Sequence, residues 1–136
     1  MSLSLATRRS LLLEIRGRID ADGGGALWIF VDEPMPASPE SATVGTPAAV
    51  IPLGAVSFGR HATLAEMTCT AVGNATLGGI VTFGRFVDGS GVGVLDRTAG
   101  PPGAGAQLIV SDLQDPPTAR VWSGGELSVT HTLTAY

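Results

Sequence analysis

Lysine is missing from this chain. All eight basic residues are arginine, and against twelve acidic residues they leave a formal net charge of −4. An acidic chain of this kind is a poor match for nucleic acid, whose phosphates need a cluster of cations to neutralise them. The arginine-only usage, alongside abundant Ala and Gly, reads as the coding bias of a GC-rich genome. Cysteine occurs once, at Cys69, which excludes an intrachain disulfide and argues against a thiolate zinc site. Because Ala65, Met67, Cys69 and Ala71 alternate along one side of a short run, Cys69 reads as a small core residue. Long apolar runs are missing too. Leu11-Leu12-Leu13 is followed at once by Glu14 and Arg16, so neither a signal-peptide core nor a membrane span is expected. The expectation is a soluble protein made in the cytoplasm, with no membrane or nucleic-acid partner.

Catalytic residue sets are equally thin. The only histidines are His61, in a turn, and His131, on the apolar side of the last predicted strand, where a hydrogen-bonded structural role is expected. No serine or cysteine stands beside either in a nucleophile motif. Asp88-Gly89-Ser90-Gly91 and Asp20-Ala21-Asp22-Gly23 offer oxygen ligands, but neither fits the calcium-loop spacing, and turn chemistry accounts for both. Gly89 to Gly93 lacks the Lys-Ser/Thr ending of a phosphate loop and opens no helix. The chain is therefore expected to be non-enzymatic, with no catalytic residues, no metal and no cofactor.

What the sequence does carry is β structure. Residues 79–95 read as two strands joined at Asp88-Gly89-Ser90-Gly91, with Val81, Phe83, Arg85 and Val87 on one face. Residues 64–72 and 126–136 alternate with period two, the latter placing Leu127, Val129, His131 and Leu133 opposite a row of Ser and Thr. Shorter strands are expected at 26–31, 48–51, 107–110 and 119–122, with 56–58 continuing the second of these and Gly59-Arg60-His61 turning the chain. Gly73-Asn74 reads as a turn, and loops are expected at 34–47, exposed and adaptable, at 96–105 and at 112–118. One helix is predicted over residues 4–22. Ser4 caps it, Leu5, Leu12, Ile15 and Ile19 line one face, and Gly23-Gly24-Gly25 stops it. Together these predict a mainly β chain: residues 1–136 as a single domain, an antiparallel β-sandwich or jelly-roll-like unit over 26–136 with one N-terminal α-helix.

The helix is also electrically lopsided, because Arg8, Arg9, Arg16 and Arg18 crowd the first eighteen residues. Arg8 and Arg9 sit at the end of the helix where the macrodipole disfavours cations. Leu5, Arg8, Arg9, Leu12, Ile15, Arg16 and Ile19 are accordingly the candidate contact surface toward an acidic partner. The alternative is that Leu12, Ile15 and Ile19 cap the chain's own β core. Sugar stacking would need an exposed aromatic, and Trp122 and Tyr136 are the candidate platforms, although a core role for Trp122 is favoured.

The runs TFGRFVDGSGVGVLDRTAG (82–100), QLIVSD (107–112) and ELSVTHTLTAY (126–136), with SLATRRSLLLEIRGRIDADGGG (4–25) and GTPAAVIPL (45–53), resemble small virion structural proteins of tailed bacteriophages and prophages. The resemblance implies a virion protein made in the host bacterial cytoplasm. Its role would be capsid decoration (cement) or another head, collar or tail component, forming homo-oligomers and meeting capsid, portal or tail subunits. The alternative is a carbohydrate-binding module that mediates attachment.

Overall fold

The computed structural model describes residues 2–43, 45–111 and 120–135. The chain is mainly β, with one N-terminal helix and a strongly curled, mostly antiparallel sheet. Helix α1 spans Leu5–Asp20, and Ser4 adopts extended dihedrals so that its Oγ accepts the Thr7 N–H at 3.1 Å. Gly17 does not interrupt it, and Ala21 caps its C-terminal end.

Nine strands follow among the described residues: β1 (Ala26–Val31), β2 (Ala49–Pro52), β3 (Gly59–Arg60), β4 (Glu66–Asn74), β5 (Gly79–Val87), β6 (Gly93–Gly100), β7 (Leu108–Ser111), β8 (Arg120–Val121) and β9 (Glu126–Thr134). They pair in the order β2-β1-β5-β6-β7-β9-β4-β3, with β8 added to the start of β5. Every pairing is antiparallel except β6 with β7, which touch at Ala99–Leu108 and Gly100–Ile109. The curl brings the two ends of this path together. A Cβ placed on Gly73 of β4 would lie 2.7 Å from Ile51 Cγ1 of β2, so the two strands close on each other through side chains. Pro52 sits at the end of β2, an edge strand, where its missing N–H costs no ladder bond.

The inward residues form one apolar cluster. Leu27 and Ile29 of β1, Met67, Cys69 and Ala71 of β4, Phe86 of β5, Leu108 and Val110 of β7, and Leu127, Val129 and Leu133 of β9 meet Leu12 and Ile19 of α1 there. Gly84 is part of this face. Any Cβ there would strike Leu108 Cδ1 and crowd Leu27 and Ile29, so only glycine lets β5 approach the opposite wall this closely.

A second buried layer lies on the outer side of β1 and β5. Phe30 and Phe83 stack there with centroids 4.5 Å apart and planes within 4°. They are fully buried, yet outside the central cluster. Segment 34–47 is fastened on this side, where the buried Arg85 donates to the carbonyls of Ser41 at 2.7 Å and Ser38 at 3.2 Å. Glu33 Oε2 accepts the Gly45 N–H at 2.9 Å at the loop's far end. The loop expected to be adaptable is thus tied to an arginine in the sheet.

Other local expectations also change. Residues 96–100 are strand rather than loop, because Asp96, Arg97 and Thr98 pair with Arg85, Gly84 and Phe83. Gly59-Arg60 forms β3 against Thr68 and Met67 instead of a turn, and 56–58 is not a strand. Gly73-Asn74 stays within β4, paired to Leu127 and Glu126. In β5 the register skips Thr82, so Val81 leaves the face of Phe83, Arg85 and Val87 and joins the inner cluster beside Val31. The hairpin turn matches its reading: Asp88 Oδ1 accepts the N–H groups of Ser90 and Val92, both at 2.9 Å. Gly89 lies so close to the Asp22 carbonyl that a side chain has no room, which seats the turn on the end of α1. The loop expected at 112–118 lies outside the described residues.

Candidate functional site

The basic helix face expected to meet a partner is largely engaged by the chain itself. Leu12 is 4% exposed and Ile19 fully buried, both in the central cluster, and Ile15 packs against it. Arg9 donates from Nη2 to the carbonyls of His61 and Ala62 at 3.1 and 2.9 Å. Arg16 donates to the Phe58 carbonyl at 3.2 Å. Both arginines satisfy carbonyls of segment 58–62, and for Arg9 that contact explains a cation at a position the macrodipole disfavours. Leu12 and Ile19 are thereby withdrawn from the candidate contact surface. Arg8 is half-buried with its Nε unpartnered, and Leu5 remains exposed at 41%.

A different feature stands out at the mouth of the curled sheet, where β6, β7 and β9 meet. An open cleft of about 350 Å³ is lined by Arg97, Gln107, His131, Thr132, Leu133 and Thr134. Pairing with Gly84 puts Arg97 on the inner face of β6, and alternation with Val129 and Leu133 puts His131 on the inner face of β9. Gln107 is held by a reciprocal clamp. Its Oε1 accepts the Thr98 N–H at 3.3 Å, and its own N–H donates to Thr98 Oγ1 at 3.1 Å.

His131 is 5% exposed and lies beside the paired rings of Phe58 and Phe86, with centroids at 6.2 and 6.0 Å. Its Nδ1 is 2.9 Å from the Gln107 carbonyl, which only accepts, so Nδ1 carries the proton and Nε2 bears a lone pair. That Nε2 is buried and has no partner. Burial pushes the His131 pKa down, the Gln107 bond opposes this, and the Arg97 charge pushes it down further. Arg97 is half-buried, its Nε is covered and unpartnered, and no hydrogen bond or ion pair joins its guanidinium among the described residues. Burial lowers its pKa, yet a guanidinium stays cationic near neutral pH.

Elsewhere the geometry is structural. His61 is exposed and its Nδ1 accepts the N–H groups of Thr63 and Leu64 at 3.1 and 3.0 Å, which spends the ring on a turn. Among the described residues no three His, Cys, Asp or Glu side chains gather as metal ligands, and no helix is long and apolar enough to cross a membrane. Trp122 is 56% exposed, not a core residue, because it follows the two-residue β8 onto the rim of β5; the Arg120 guanidinium lies 5.5 Å from its ring centroid. Tyr136, the other candidate platform, lies outside the described residues.

Sequence reasoning missed Arg97 by assigning residues 96–105 to a loop. The usable signal was its spacing, two residues beyond Leu95, which continues the inward side of the hairpin. In comparisons with known families, curated proteins and solved structures, the chain matches none.

Proposed function

We propose that this chain is a non-enzymatic structural protein of a tailed-phage or prophage particle, built in in many copies, with capsid decoration as its simplest role. The reading begins from the resemblance of residues 4–25, 45–53, 82–100, 107–112 and 126–136 to such proteins. The observation that carries it is the surface. Charged residues make up 15% of the chain, against about 25% in an ordinary soluble domain. Val50, Val56, Val72 and Leu77 are each at least 44% exposed. A sparsely charged, apolar-dotted exterior without lysine fits a protein whose working surface is covered by neighbours.

In this reading the halves β2-β1-β5-β6 and β7-β9-β4-β3 act as the two layers of a sandwich-like or jelly-roll-like unit, closed at one end by α1. The outward Leu5 and Leu11, with Arg8 beside them, then join the contact surface toward capsid, portal or tail subunits. Mass spectrometry of particles purified from the encoding strain tests this directly. The chain should band with the particles through a density gradient. Recovery only in the soluble fraction would reject the proposal.

A carbohydrate-binding role is the second reading, favoured by the exposure of Trp122. Apolar sugar faces stack on such rings. Binding on a glycan array that Trp122→Ala abolishes would move the assignment to attachment, whereas an array without hits would leave Trp122 as an assembly contact.

A further inference from the structure

We propose that the cleft between β6 and β9 is a binding site for a small oxyanion, of carboxylate or phosphate type, seated on the Arg97 guanidinium. This goes beyond the assembly role and does not depend on it. Three observations converge. Arg97 is a half-buried cation without a hydrogen bond or counter-charge among the described residues. Guanidinium groups removed from water are normally paired, and the planar fork of N–H donors matches two oxygens of a carboxylate or phosphate.

The cleft beside it is polar and open, and it is large enough for such a group. His131 and Leu133 face it from the inner side of β9, whereas Thr132 and Thr134 alternate to the outer side, with Thr132 Oγ1 3.1 Å from Thr68 Oγ1. Among the described residues no carboxylate lines the cleft.

The third observation is His131. It borders the same cleft with an unpartnered Nε2, and Arg97 is the charged group that acts on it. Its other neighbours are the Gln107 carbonyl, the rings of Phe58 and Phe86, and its register partner Cys69 on β4, whose thiol burial keeps neutral. An anion on Arg97 cancels the repulsion that adds to burial in keeping the imidazole neutral. Oxyanion binding therefore raises the affinity of His131 for a proton, and protonation strengthens oxyanion binding in return.

The test is an NMR titration of the full chain that follows the Arg97 side-chain N–H and the His131 ring. Inorganic phosphate, acetate and chloride are compared at one ionic strength. Phosphate or acetate should shift both signals together and saturate with a Kd on the order of ~1 mM. A response to phosphate alone assigns a tetrahedral ligand, and one to acetate alone a planar carboxylate. The His131 pKa should rise in the saturated state. Arg97→Gln should abolish the response, and Arg97→Lys, which keeps the charge but loses the planar fork, should weaken it about 3-fold. Should Arg97→Gln fail to fold, the wild-type and Arg97→Lys titrations still decide. Non-saturating shifts, equal shifts with chloride, or a response that survives Arg97→Gln would overturn the assignment.

Discussion

Arg85 and Asp96, register partners on β5 and β6, form a bidentate ion pair beneath segment 34–47. Nε lies 2.7 Å from Oδ1 and Nη2 lies 3.0 Å from Oδ2, with both side chains about 95% buried. The remaining donors of the same guanidinium hold the carbonyls of Ser38 and Ser41. One arginine therefore both pairs the hairpin's strands on their outer side and ties the proline-rich loop to them.

Removing either partner leaves a buried charge uncompensated. Asp96→Ala and Arg85→Ala should each lower stability by about 3–5 kcal/mol in urea unfolding. Arg85→Ala should in addition release the loop, read as faster proteolytic cleavage within residues 34–47 of the still-folded protein. The double variant Arg85→Met/Asp96→Leu should recover part of the loss. Single variants as stable as the wild type would show that the pair is dispensable.

Helix α1 is welded to the β core through Ile19, so it is a structural element before it is a docking element. Ile19→Ala should cost about 2–5 kcal/mol, as large-to-small changes in a filled core do. Leu5→Ala, at an exposed position, should stay within about 0.5 kcal/mol. Deleting residues 1–22 should abolish the cooperative unfolding transition. A truncated chain that melts like the full-length protein would free the helix to act as a detachable arm.

The buried imidazole of His131 makes stability fall in mild acid. Its folded-state pKa is lowered, chiefly by burial. As pH drops through the ordinary value of about 6.5, the unfolded chain takes up the proton first. The stabilisation is thus complete above about pH 6.5 and declines below it. His131→Gln keeps an N–H for the Gln107 carbonyl and should flatten this limb of the urea-midpoint profile. Parallel profiles for the variant and wild type would assign the acid sensitivity to other groups.

Cys69 should report on global opening. Burial, with a smaller contribution from the Asp20 charge, pushes its thiol pKa up to about 11, and its side chain is 2% exposed. Thiolate-directed reagents should leave it untouched in the native protein and label it in step with unfolding. Fast labelling under native conditions would place the thiol outside the core.

The period-two segments were legible in the sequence because their two faces see different solvents. β4 and β9 each expose a Thr row and bury an apolar row, so alternation alone located both. The Asp88 turn was legible for the same kind of reason, since Asp and Gly meet its local hydrogen-bond and dihedral demands. Where tertiary contacts override local pattern, reading failed. Asp96 and Arg97 look like loop residues, yet one is neutralised by Arg85 across the ladder and the other faces the cleft. The ties from Arg85 to segment 34–47 span more than forty residues, and no periodicity in the chain announces them. Arg9 and Arg16 looked like contacts for a partner because the carbonyls they satisfy lie in segment 58–62, far along the chain.

The central claim, a multi-copy structural component of a phage particle, is tested most directly by absolute quantification of the chain in purified particles against the major capsid protein. The account predicts a fixed ratio, reproducible between preparations and matching a symmetric ring or shell. A trace amount that varies between preparations and washes away with salt would contradict it.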